Sequence, residues 1–172
     1  RNVAVLAWLA ACMAGGACAS VGGGQPEYQL KAAFLYNFVL LTEWPPEVGA
    51  TLNLCVHGVD PFGAALDALQ GKAVGARVIA LHRDVALEAL ARCQIVFVAA
   101  SASAPLARLI EALRGRPVLT VADSADAARQ GVVVNMVLDD ARIGFDVNLR
   151  AAQAARLRVS SKLLRLAREV HR

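Results

Sequence analysis

The sequence predicts an α/β fold: a single-domain three-layer sandwich in which a mixed, mostly parallel sheet of five or six strands carries helices on both faces. Three observations predict it. Short apolar runs alternate with helix-forming stretches roughly every 20 residues, the pattern of parallel strands joined by crossovers. One run, Gln94-Ile95-Val96-Phe97-Val98-Ala99, is apolar on both faces and belongs at the centre of such a sheet. Two runs near the C-terminus are separated only by Asp139-Asp140-Ala141, a hairpin connection that makes the sheet mixed.

The elements follow in order. A helix is predicted over 27–43, because Leu30, Ala33, Phe34, Phe38 and Leu41 recur at three- and four-residue steps. Trp44-Pro45-Pro46 stops it, since a residue before proline is pushed out of the helical region. Residues 52–56 form the first strand. Asp60-Pro61 then reads as an N-cap with proline at the first helical position, opening a helix that ends near Gln70-Gly71. A second strand over 77–81 leads to a short helix capped by Asp84 and ending at Arg92. The third strand is 94–99, followed by a helix over 104–114 and a fourth strand over 118–121. Ser124 caps a helix ending at Gln130-Gly131, and the hairpin strands are 132–138 and 142–148. Helical segments close the chain. Ser160-Ser161 caps the last, with Leu163, Leu164, Ala167 and Val170 on one face.

A length of 172 residues fits one domain. The 57% apolar content excludes disorder, and 13 Gly, 6 Pro and 4 Cys exclude collagen-like or disulfide-dense scaffolds. Mean hydropathy is +0.48, and much of that excess lies at the start of the chain. Residues 1–19 carry no charge after Arg1 and end in Ala17-Cys18-Ala19, the layout of a secretory signal peptide. Gly15-Gly16 interrupts the apolar run before the length of about 20 residues that a membrane span needs. Leu9-Ala10-Ala11-Cys12 also resembles a bacterial lipobox, with Cys12 as the acylated residue. Residues 20–26 have flexible-linker composition, which leaves 27–172 as the folded domain of an exported protein.

Export gives the remaining cysteines their meaning. Cys55 and Cys93 form an even pair in an oxidising compartment and read as a disulfide. A metal site from Cys55, His57, His82 and Cys93 is the alternative, although no C-x-x-C or H-x-x-x-H spacing supports it. Gly22-Gly23-Gly24 precedes no strand and fits neither a dinucleotide fingerprint nor a P-loop, and there is no G-x-S-x-G elbow. No catalytic residue, cofactor or resident metal is assigned. Ligands of open parallel sheets bind at C-terminal strand ends, so the edge bearing His57, Asp60, His82 and Asp123 is the default pocket, with capping the plainer role for its carboxylates. The C-terminal quarter is basic, with Arg150, Arg156, Arg158, Lys162, Arg165 and Arg168. It lacks the interleaved aromatics of a nucleic-acid surface. A solvated helix face explains it, and Arg150, Arg156 and Arg158 are the candidates for a small-anion site.

Longer segments carry a resemblance. Lys31-Ala32-Ala33-Phe34-Leu35-Tyr36-Asn37-Phe38, followed by Thr42-Glu43-Trp44-Pro45, resembles the opening helix and W-P stop of the YfiR-like periplasmic family. Val118-Leu119-Thr120-Val121, Arg142-Ile143-Gly144-Phe145-Asp146-Val147-Asn148-Leu149 and the run from Leu157 through Ser160-Ser161-Lys162 to Ala167 are similar to its C-terminal half. Leu54-Cys55-Val56 and Cys93-Gln94-Ile95-Val96-Phe97 fit its strand–cysteine pattern. Arg129-Gln130-Gly131-Val132 departs from the glycine pair common in relatives, and the extra cysteines of some relatives have no counterpart.

The resemblance implies a Cys55–Cys93 disulfide and a periplasmic, non-enzymatic regulator. Such a protein binds the sensing domain of an inner-membrane diguanylate cyclase and represses it, lowering cyclic di-GMP and biofilm formation until redox state or envelope stress releases it. A homodimer is implied as well, and no nucleic-acid partner. Met136, Leu138, Ile143 and Phe145 of the hairpin are the candidate partner contacts. The competing reading is a periplasmic small-anion-sensing module for another membrane receptor or sensor kinase.

Overall fold

Alternation of side chains along four apolar runs produces a sheet that must be covered twice. In the computed structural model, which describes residues 26–102, 105–140 and 142–172, β2 (Thr51–His57), β4 (Arg77–His82), β5 (Ile95–Val98) and β6 (Leu119–Ala122) run parallel. Strand β7 (Val134–Asp139) continues parallel beside β6, and β8 (Arg142–Asn148) turns back on it as an antiparallel hairpin. Strands β3 (Ala73–Val74) and β10 (Glu169–His171) close the edges, giving the order β10-β8-β7-β6-β5-β2-β4-β3, eight strands among the described residues. A separate antiparallel pair joins β1 (Thr42–Glu43) to β9 (Arg158–Val159).

The two faces are read directly from the period of two. Leu52, Leu54 and Val56 of β2, Ile95 and Phe97 of β5, and Leu119 and Val121 of β6 face one core. There they meet Leu35, Phe38 and Val39 of α1 (Pro26–Leu40), Leu66 of α2 (Ala64–Asp67), Ala152 of α4 (Leu149–Ala154) and Leu163 of α5 (Ser161–Leu166). Cys55, Val96, Val98 and Ala122 face the other core, covered by Leu90 of a 3₁₀ turn (Leu87–Arg92) and Leu109 of α3 (Leu106–Ala112). Each Leu, Ile or Phe buried this way contributes about 1.5–3 kcal/mol relative to exposure. Edge-on ring contacts, Phe38–Phe145 at 4.9 Å and Phe62–Phe97 at 4.6 Å, tie the α1–α2 layer to the sheet.

The α/β class, the mostly parallel sheet and the helices on both faces are as the sequence predicts. The strand count is higher because β3 and β10, two and three residues long, pair at the edges. Val170 accordingly lies in β10 and not on the last helix, where the periodicity put it. Helix α1 ends at Leu40 and not Glu43; the Thr42 hydroxyl donates to the Phe38 carbonyl at 2.8 Å, and the chain then pairs with β9. Pro26, assigned to the linker, opens α1, while the signal, linker and Cys12 readings on 1–25 lie outside the described residues.

Two caps act otherwise than expected. Asp84 adopts φ 50 and precedes a 3₁₀ turn whose N-cap is Ala86. Asp60 accepts from the Phe62 N–H at 2.8 Å, but α2 starts only after Gly63. The segment after Ser124 makes turns instead of a helix, with Asp126 at φ 56 breaking any helical run. Ser160 does cap α5, its Oγ accepting from the Leu163 N–H at 3.2 Å.

Candidate functional site

The sheet register decides the cysteines. Cys55 pairs with Val96 in the sheet, and the chain entering β5 from the 3₁₀ turn brings Cys93, which ends that turn, within reach of Cys55. Their sulfurs are bonded at 1.98 Å with Cα atoms 6.0 Å apart, closing a loop with a sequence separation of 38. Neither sulfur is then a thiolate ligand for a metal. Both cysteines are buried, and a cavity of about 360 Å³ beside them is rimmed by Asn53, His82 and Arg92.

The four strand-end residues of the default pocket do not converge. His57, at the end of β2, is buried with its Nδ1 2.8 Å from the Val85 carbonyl. His82 Nε2 lies 3.0 Å from Asn53 Oδ1, on the disulfide side. Asp60 Oδ2 accepts from Arg83 at 2.6 Å, and Arg83 also reaches Asp67 at 2.7 Å, so Asp60 organises its own loop.

Asp123, at the end of β6, has a buried carboxylate. Lys31 of α1 donates to its Oδ2 at 2.7 Å, the Tyr28 hydroxyl donates to the same oxygen at 3.0 Å, and Glu27 Oε1 lies 2.5 Å from Lys31 Nζ. Burial opposes the Lys31 charge and is the largest single influence on it. The hydrogen bonds to Asp123 and Glu27, with the Asp123 charge, outweigh it and hold the ammonium protonated above the ordinary lysine value of 10.5. Burial, then the Asp123 charge, push the Tyr28 phenol above its ordinary 10.0.

The hairpin candidates divide. Met136 and Phe145 are 1% and 3% exposed and belong to the core, because they pair across β7–β8 on the face that α1 covers. That corrects their reading as partner contacts. Leu138, 51% exposed, and its pair Ile143, partly buried, remain at the hairpin's open end. The arginines do not gather into an anion site. Arg150 donates to the Arg172 carbonyl at 2.8 Å, Arg156 pairs with Glu47, and Arg158 lies 3.7 Å from Glu43.

Residues 28–168 match the YfiR/HmsC-like family from the lead residues of α1 to the segment before β10. The chain belongs to that family. As a family, YfiR-like proteins are periplasmic and belong to diguanylate cyclase regulation. Among the described residues of this YfiR-like chain, no helix is long and apolar enough to cross a membrane.

Two solved structures are similar in fold. A conserved domain protein from Vibrio cholerae aligns with a TM-score of 0.53 at 12% identity, over 83% of this chain and 60% of that one. An ABC domain in complex with L-Trp from Streptococcus pneumoniae aligns with a TM-score of 0.53 at 9% identity, again over 83% and 60%. The YfiR-like chain thus spans about 60% of the length of each, and the likeness is one of architecture.

Two positions escaped the sequence reading. Lys31 was legible as a motif residue but not as a buried charge, although it shares the stripe of Leu35, Phe38 and Val39 on α1, the signal for burial. The sequence places Arg168 on a solvated face. Its stem instead crosses Gly144, where an added Cβ would lie 2.3 Å from Arg168 Cδ, and its Nε comes within 4.0 Å of Asp146.

Proposed function

We propose that this YfiR-like protein is an exported regulator that binds the periplasmic sensing domain of an inner-membrane diguanylate cyclase and holds the cyclase inactive. The observation that carries the reading is the family match over residues 28–168, which spans the fold from α1 to the segment after α5. A domain without catalytic machinery can act this way if it binds one state of a membrane partner better than the other, shifting the balance by its differential affinity. Two features support a rigid binding body: the Cys55–Cys93 crosslink and the buried Lys31–Asp123 tie between α1 and the sheet. The exposed Leu138 and the neighbouring Ile143 are the retained contact candidates, and the reading includes a homodimer.

Deleting the gene in its host and measuring cyclic di-GMP tests the repression. A rise that is reversed by the wild-type gene is expected, together with co-purification of a membrane diguanylate cyclase after crosslinking. An unchanged level would overturn the reading. Light scattering of the purified protein tests the dimer.

A further inference from the structure

A second cleft opens where β2 and β5 end side by side. The chain leaves β2 toward the α1–α2 layer, where Phe62 and Leu66 pack, and leaves β5 toward the opposite layer, where Leu109 packs. That divergence is the topological switch point at which open parallel sheets bind ligands. Here it holds a cavity of about 590 Å³, walled by the segments that follow β2, β4 and β5. Gly58 lets two of those segments touch: at φ +93 it takes a conformation that favours glycine, and a Cβ there would lie 2.9 Å from the Ala102 backbone nitrogen.

The polar side chains lining the cavity are mostly acceptors. His57 lines it and is 6% exposed. A carbonyl can only accept, so the 2.8 Å contact with Val85 O places a proton on Nδ1, and in the neutral ring Nε2 is then an acceptor. That Nε2 is buried and has no hydrogen-bond partner among the described residues. Asp84 and Glu88 supply two carboxylates from the segment after β4. Asp84 stands at φ 50, a left-handed conformation that Asp and Asn take more readily than other non-glycine residues. Ser101 Oγ already accepts from the Val59 N–H at 2.9 Å. Arg108 alone among the lining side chains brings a positive charge.

We propose that this cleft binds a small molecule bearing a primary ammonium group, drawn to Asp84 and Glu88 and supplying the hydrogen-bond donor that His57 Nε2 lacks. An ammonium offers three donors and no acceptor, which matches this acceptor-rich set. Arg108 disfavours dications and suits a ligand that also carries a carboxylate. This site is separate from the disulfide and from the hairpin, and it goes beyond repression of a cyclase.

The test is titration of the purified, isotope-labelled protein, followed through the His57 ring signals by NMR. Ethanolamine serves as the monocation, glycine as the zwitterion, putrescine as the dication and acetate as the anion. Saturable movement of the His57 signals by ethanolamine or glycine is expected. Asp84→Asn, which tolerates the left-handed backbone, and Glu88→Gln should each weaken that binding about tenfold, the size of losing one charge-assisted bond, with an unchanged melting temperature. Arg108→Ala should weaken glycine but not ethanolamine. The proposal is overturned if no amine moves the His57 signals, if acetate binds where the amines do not, or if both carboxylate variants bind the amines like wild type. No outcome depends on cyclic di-GMP, so this test and that of the regulator reading fail separately.

Discussion

At the scale of single residues, Lys31–Asp123 is the most deeply buried ion pair among the described residues. Their side chains are 5% and 4% exposed, so removing Lys31 leaves the buried Asp123 carboxylate without its counter-ion, bonded by the Tyr28 hydroxyl. Lys31→Met is therefore expected to cost about 3–5 kcal/mol in chemical denaturation, with much of the loss recovered in the Lys31→Met/Asp123→Asn double variant. Additive losses would show that the two are not coupled. The pair also sets a pH dependence. Because the folded state holds the Lys31 proton more tightly than the unfolded chain does, its contribution is complete below the ordinary 10.5 and is lost as pH rises through the elevated value. The raised Tyr28 value acts in the same direction. Thermal melts should thus fall steeply on the alkaline side, and Lys31→Met should flatten that fall; an unchanged alkaline slope would count against the assignment. The sequence shows Lys31 and its helical stripe, but no local pattern shows Asp123, 92 positions away, as its partner. His57 is similar: its place at a strand end is legible, whereas its tautomer depends on a carbonyl 28 positions on.

At the scale of elements, legibility follows how much of each element's stabilisation is local. The central strands β2, β5 and β6 were readable because burial on both faces imposes continuous apolar runs, and α5 because Ser160 caps it. The segment after Ser124 was not, since a serine cap followed by alanines suits a helix until Asp126 turns left-handed. Strands β3 and β10 are too short to show a period and exist by pairing with neighbours. Strand β10 depends on one close approach in particular. The Arg168 N–H donates to the Phe145 carbonyl at 2.8 Å while its stem lies over Gly144, so the edge can form only where β8 lacks a side chain. Gly144→Ala is expected to destabilise by about 1–2 kcal/mol through displacement of Arg168. In an Arg168→Ala background the same substitution should be nearly neutral. Equal costs in both backgrounds, measured by urea titration, would place the strain elsewhere.

At the scale of the whole molecule, the disulfide links stability to the compartment. The crosslink between β2 and the start of β5 closes the loop that contains α2, β3, β4 and the 3₁₀ turn, so one flank of the sheet folds within it. For a separation of 38, the chain-entropy model assigns about 4 kcal/mol, a large share of the 5–15 kcal/mol that separates folded from unfolded domains. Cys55→Ser/Cys93→Ser should lose stability of that order, and dithiothreitol should lower the wild-type melting temperature by the same amount while leaving the double variant unchanged. A protein so weakened is cleared or misfolded in the cell well before its binding surface is altered. On the proposed repressor role, reduction would then act on signalling through the amount of folded protein, and the double variant should raise cyclic di-GMP toward the level of the deletion strain. Overexpressing the double variant separates the alternatives, because restored repression means the crosslink supplies abundance. Continued derepression at wild-type abundance means instead that the crosslinked conformation itself is what the partner recognises.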